Sequence, residues 1–174
     1  MARDNRPKFQ VLLRAAGIII AIGAAVALYF EFFGSAESCS TKFAVAAPAE
    51  MTKISASRGA TFSGTACVGE QIWILDFDPT DGPQGHYYQT NEQPLQISSN
   101  DTWLFHNAPI GNDGDKPGTV YPIVVLRGST ACSEALRGMK PDSGGTVRFS
   151  PLPSACPQQE DTDNHRTVNL VNGP

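Results

Sequence analysis

The longest uninterrupted apolar stretch, residues 15–33 (AAGIIIAIGAAVALYFEFF), carries one charge, Glu31. As a helix of about 19 residues it spans about 28 Å, close to the hydrocarbon depth of a bilayer. No polar face interrupts it, which argues against a half-buried helix of a soluble domain. Tyr29, Phe30, Phe32 and Phe33 stand where an interfacial aromatic belt belongs, and Arg3, Arg6, Lys8 and Arg14 precede the run with only Asp4 opposing them. That asymmetry keeps the N-terminus in the cytoplasm and sends everything after Gly34 across the lipid bilayer. Gly34-Ser35-Ala36 makes a poor signal-cleavage site, and the apolar run exceeds a signal-peptide core. The expectation is an uncleaved transmembrane helix.

Beyond it the period changes. Residues 34–50 are small and polar and read as a linker. Residues 71–77 (QIWILDF) form the strongest strand, with Ile72, Ile74 and Asp76 on one face and Trp73, Leu75 and Phe77 on the other, so both faces are largely covered. Further strands are expected at 51–57, 60–66 with Gly64 at a bend or bulge, 86–90, 102–106 and 119–126, with a weaker one at Leu95 and Ile97. Pro122 places an edge or bulge in the 119–126 run. Long Gly/Pro/Asp turns fill 78–85 and 111–118. Thr130 is expected to cap a short helix over 131–137, ended by Gly138 and Pro141. A brief extended piece at 146–149 precedes a closing strand at 166–171. About seven short strands separated by turns predict a mainly β domain, an antiparallel β-sandwich of Ig-like order over residues 51–172. Residues 128–164 form its helix-containing insertion.

Composition narrows the partners. The chain has 174 residues; without the basic cytoplasmic tail (1–14) and the span, about 140 remain, enough for one domain with a real core. After Gly34, nine Lys and Arg face fifteen Asp and Glu. There is no basic patch there, which excludes nucleic acid as a partner. The tail is too short to fold into an output domain. Four cysteines in an exported chain favour two disulfides, and no CxxC is present to suggest zinc. Of three possible connectivities, the sequential one is expected: Cys132–Cys156 within the insertion, and Cys39–Cys67 at one end of the sandwich. Each closes a loop of about 25 residues, worth roughly 3–4 kcal/mol in the chain-entropy model.

Candidate chemistry is sparse. No nucleophile elbow, HExxH, phosphate loop or dinucleotide fingerprint occurs, so no catalytic residue or cofactor is assigned. His86, His106 and His165, with Asp76, Asp78 and Asp81, are the residues a metal-assisted hydrolase would need. Asp76-x-Asp78-x-Thr80-Asp81-Gly82 has hard oxygens close together, as calcium prefers. Its spacing is out of step with an EF-hand, Pro79 stiffens it, and its twelfth position is Tyr87. A turn is the better reading, for it and for Asn112-Asp113-Gly114-Asp115. Trp73 and Trp103 are expected in the core. Tyr87 and Tyr88 alternate in direction, so one of them is expected on the surface as a candidate binding face.

The succession Ile54-Ser55, Gly59, Phe62-x-Gly64, Ile72-Trp73, Tyr87-Tyr88, Trp103 and Ile110-Gly111, followed by the β-rich run 121–125, resembles the Ig-like domains of membrane-anchored bacterial exterior proteins, particularly those of actinobacteria. The likeness covers about residues 51–171. It departs from them in lacking a proline after Tyr87-Tyr88 and in placing Pro122 within a core strand. The resemblance implies a non-catalytic domain and transfers no functional residue. The expected function is a single-pass, membrane-anchored extracytoplasmic module that binds or spaces an envelope protein or glycan. The alternatives are the metal-assisted hydrolase and a calcium-stiffened structural module.

Overall fold

The computed structural model describes residues 41–55, 59–112 and 114–173. The expected tail, transmembrane span and Cys39 lie outside the described residues. Among those described, no helix is long and apolar enough to cross a membrane. The described chain is mainly β: β1 (Ala44–Ala47), β2 (Thr52–Ile54), β3 (Ala60–Thr65), β4 (Gln71–Asp78), β5 (His86–Gln89), β6 (Thr102–Ala108), β7 (Val120–Gly128), α1 (Thr130–Arg137), β8 (Arg148–Phe149) and β9 (His165–Asn172).

Two sheets result, one ordered β1-β3-β6 and the other β2-β9-β7-β4-β5-β8. Every pairing is antiparallel except β2 with β9, which is parallel. The alternation of β4 sets the layering. Its Ile72 and Ile74 join Ile123, Val125, Val168 and Leu170 in a core shared with Phe62 and Trp103 of the three-stranded sheet. Trp73 and Leu75 point the other way, and with Val124 and Leu126 they pack against Cys132 and Leu136 of α1 and Phe149, Leu152 and Cys156 after it. Fully burying each large apolar side chain contributes roughly 1.5–3 kcal/mol, so both faces of the six-stranded sheet are held by packing.

The outer layer is also tied by polar and covalent contacts. Trp73 Nε1 donates to Ser133 Oγ at 2.8 Å, with both residues buried, and Cys132 is bonded to Cys156. Ser129, rather than Thr130, caps α1: its Oγ accepts from the Cys132 N–H at 3.1 Å, and Thr130 is the first helical residue. The serine side chain is one position better placed to reach the third amide of the helix.

Several other expectations are corrected. Residues 44–47, expected within the linker, are a strand, and Phe43 just before them is buried in the inter-sheet core. Ala-Val-Ala-Ala has too little amphipathic contrast to announce a strand, but small residues suit an edge laid against β3. Gly64 marks close approach as well as irregular register: a Cβ there would collide with the Ala44 carbonyl and the Trp103 ring, and the β1–β3 pairing shifts beside it, between Val45 and Ala47. Leu95 and Ile97 form no strand. Leu95 makes a single bridge to Ile72, and both side chains pack on the inter-sheet core.

Pro122 sits in continuous register within β7. Its partner Asn169 spends its backbone groups on Met51 and Glu50, on the side away from β7. The Pro122 nitrogen therefore faces the β4 side, where the β4–β7 ladder has ended at Asp76 and Ile123. No ladder donor is lost.

Candidate functional site

A concavity of about 1020 Å³ lies at the end of the six-stranded sheet where β4 and β5 meet the β6–β7 turn. Its polar lining includes Asp76, Asp78, Tyr88, Asn112, Asp115 and Arg148. Local sequence explains how these come together. Asp76 follows Ile72 and Ile74 on the inner face of β4, past the point where apolar packing is needed, and pairs across the ladder with Tyr88 of β5. The β6–β7 turn then folds back on it: the Gly111 N–H donates to Asp76 Oδ2 at 3.0 Å. Gly111 has φ 66°, and a Cβ on it would strike the Tyr121 ring, so glycine is required there twice over.

Asp115 closes the same turn by accepting from the Asn112 N–H at 2.7 Å and from the Tyr121 hydroxyl at 2.8 Å. Burial pushes the Asp76 carboxyl up to about 6. The Gly111 hydrogen bond works against that rise, and the nearby charges of Asp78 and Asp115 reinforce it. Burial likewise raises the Tyr121 hydroxyl, helped by its hydrogen bond to Asp115 and by the charges of Asp115 and Asp76.

At the rim, Asp81 gathers three partners. It accepts from the Tyr88 hydroxyl, from Arg148 Nη1 at 3.2 Å, and lies 3.3 Å from His86 Nδ1. The Tyr88 hydrogen bond leads in holding the Asp81 carboxyl below its usual range, with His86 and Arg148 adding to it against a desolvation that opposes them.

The two tyrosines do diverge, but neither is freely exposed. Tyr87 lies between Phe77 and Phe149, with ring centroids 4.7 and 5.8 Å away, in the outer apolar layer. Tyr88 lines the groove on the opposite face, its hydroxyl committed to Asp81.

The candidate hydrolase residues are not assembled. His106 is exposed on β6 of the other sheet, His165 is buried on β9 with Nδ1 3.1 Å from the Pro157 carbonyl, and His86 belongs to the rim. Among the described residues no group of three His, Cys, Asp or Glu side chains is arranged to hold a metal ion. The segment weighed as a calcium loop folds as a turn, with Asp78 Oδ1 accepting from the Thr80 N–H and hydroxyl at 2.8 and 2.7 Å.

A second, smaller cleft of about 450 Å³ adjoins Cys156. Arg127 dominates it, paired with Glu70 at 3.0 Å and donating to Asn164. Cys67 is itself disulfide-bonded, while its expected partner Cys39 lies outside the described residues.

Sequence reasoning did not find the cluster of Asp76, Gly111, Asp115 and Tyr121. The one signal available was an acid at the end of an apolar run facing a Gly-Asn-Asp-Gly-Asp turn. No family model, curated protein or solved structure matches the chain.

Proposed function

We propose that this chain is a single-pass, membrane-anchored protein that displays an Ig-like β-sandwich outside the cytoplasm of a bacterial cell. There the domain binds or spaces an envelope protein or glycan without catalysing a reaction. The observation that carries the reading is strand order. With β1, β3 and β6 in one sheet and β9, β7, β4 and β5 consecutive in the other, the chain follows the order of the first, second and fifth strands against the last, sixth, third and added third-prime strands of an Ig sandwich. A tyrosine near the start of the penultimate main strand supports it. The Tyr121 hydroxyl bonds back to the Asp115 carboxylate, six residues upstream, a side-chain variant of the backbone contact that a tyrosine corner makes. The Cys132–Cys156 bond suits an oxidising compartment.

The outer face of the six-stranded sheet is occupied by the protein's own helix and the residues after it, so the groove around Tyr88 and Asn112 is the face we assign to a partner. The test uses the full chain in detergent to capture glycan and protein fractions of envelope extracts. A matched variant carries Tyr88→Ala and Asn112→Ala. A fraction retained by the parent and lost by the variant supports the reading. A fraction retained equally by both moves the binding face elsewhere, and no retained fraction leaves the spacer role.

A further inference from the structure

Among the described residues the two sheets end in four edge strands, and three of them are guarded. β1 has four residues and lies between Lys42 and Pro48, β2 has three with Lys53 at its centre, and β8 has two, one of them Arg148. Short length, proline and basic side chains keep an edge from pairing with another chain. β6 differs. It has seven residues (TWLFHNA) without a Lys, Arg, Asp or Glu, it ends the three-stranded sheet, and Leu104 near its middle is 53% exposed.

Register fixes where the open main-chain groups of β6 lie. Thr65 stands opposite Thr102, Gly64 opposite Trp103, Ser63 opposite Leu104 and Phe62 opposite Phe105. The Ala66 N–H donates to the Asp101 carbonyl at 3.0 Å. Hydrogen-bonded pairs alternate along an antiparallel ladder, so Trp103 and Phe105 are the residues that exchange bonds with β3. Thr102 and Leu104 therefore direct their amides and carbonyls to the free side. Thr102 bears this out, because its carbonyl accepts from the Ser98 N–H at 2.8 Å. The Leu104 amide and carbonyl make no hydrogen bond among the described residues. Beyond them the register shifts and Asn107 takes φ 54°, which ends the regular run of the strand.

We propose that β6 is a self-association edge: two copies of this chain pair antiparallel about a two-fold axis at Leu104, whose amide and carbonyl exchange hydrogen bonds with the same groups of the copy. A two-fold axis sets equivalent residues opposite each other, so a residue with both main-chain groups free is complementary to its own image. Charge favours a copy as the occupant. An edge without charge can face itself, whereas like charges directly opposite would repel. The alternation that buries Trp103 turns Leu104 outward with Thr61, Ser63, Thr65 and Thr102, so the joined sheets share one uncharged face on which two leucines meet. The Ser98 bond at one end and the irregular register at the other keep the contact short. It is accordingly a contact between chains held in one bilayer, where the effective concentration is high, and in that respect it rests on the anchored reading above.

The test uses the full chain reconstituted in phosphatidylcholine vesicles and recovered by flotation. In Leu104→Cys, mild oxidation should link two copies, because a hydrogen-bonded antiparallel pair sets its Cα atoms about 5.5 Å apart, within disulfide reach. Ser63→Cys is the control on the same face. Across the joined edge its two copies would stand three strand spacings apart, about 14 Å, which no disulfide spans. Linked dimer from Leu104→Cys is expected about tenfold above that from Ser63→Cys and from the parent chain, whose native cysteines set the background. Energy transfer between donor- and acceptor-labelled C-termini, present in the parent, should be lost in Leu104→Lys, which sets like charges across the axis. Floated chain with no excess of linkage at position 104, or with energy transfer unchanged in Leu104→Lys, overturns the pairing and leaves the anchored reading standing. Chain that does not float with the vesicles overturns the anchored reading, and this pairing with it.

Discussion

The six-stranded sheet is covered twice, and by different means. On its inner face the partner is another sheet. Ile72, Ile74, Ile123 and Val125 meet Phe62 and Trp103, all delivered by strand alternation. On its outer face the partner is a short helix and an irregular return rich in Gly, Pro and Ser. That segment supplies few large apolar side chains of its own: Leu136, Phe149 and Leu152 are buried, and Met139 and Val147 partly so. A segment burying so little surface does not offset the entropy of ordering itself. The outer layer accordingly carries a disulfide, a buried Trp73–Ser133 hydrogen bond and a capped helix. The contrast separates a core that defines the domain from a cover that is fastened onto it.

That contrast breaks most visibly at Phe62. Phe62→Ala should cost about 3–5 kcal/mol and lower the unfolding midpoint of the inner and outer layers together, because the cover has nothing to fasten to without the sheet. Thermal unfolding followed in parallel by hydrogen exchange reads both. Midpoints that separate between layers would argue for an outer layer standing alone.

Replacing Cys132 and Cys156 together by serine should cost about 2–4 kcal/mol. Here the change should be local: faster amide exchange in residues 129–157, with β3, β6 and β9 still protected. Uniform acceleration across both sheets would erase the distinction. The smallest of these effects belongs to Ser133→Ala, which leaves the buried Trp73 Nε1 donor without its partner at a cost of about 1–3 kcal/mol. It should red- or blue-shift the Trp73 emission while Trp103 is unchanged, which single-tryptophan variants resolve.

The same division decides how much the sequence disclosed. Period-two alternation in QIWILDF announced β4 and its two buried faces, because both faces are apolar. Thr130, expected as the cap, and the Gly138 stop announced the helix within a residue of where it lies. What stayed hidden depends on distant chain. β1 carries almost no pattern, since Ala44–Ala47 is ordered by β3 and by the glycine at position 64. The parallel pairing of β2 with β9 joins segments over a hundred residues apart, Thr52 beside Leu170, and nothing local encodes it. Alternation showed that Tyr87 and Tyr88 part company, but not that Phe77 and Phe149 would enclose the first and Asp81 and Arg148 hold the second. The groove takes shape where the β6–β7 turn folds back to set the Gly111 N–H on Asp76, and burial there raises the Asp76 carboxyl against that hydrogen bond. Turn chemistry locates such a bend without saying what it will touch.

The central claim, a β domain held outside the cytoplasm by the apolar run at 15–33, is tested most directly by orientation in living cells. Two reporters fused after Pro174 suffice, one that works only in the cytoplasm and one that works only beyond the membrane. The account predicts activity from the exported reporter alone, with signal lost when Arg3, Arg6, Lys8 and Arg14 are made acidic and the span inverts. Activity from the cytoplasmic reporter alone in the parent chain would contradict it.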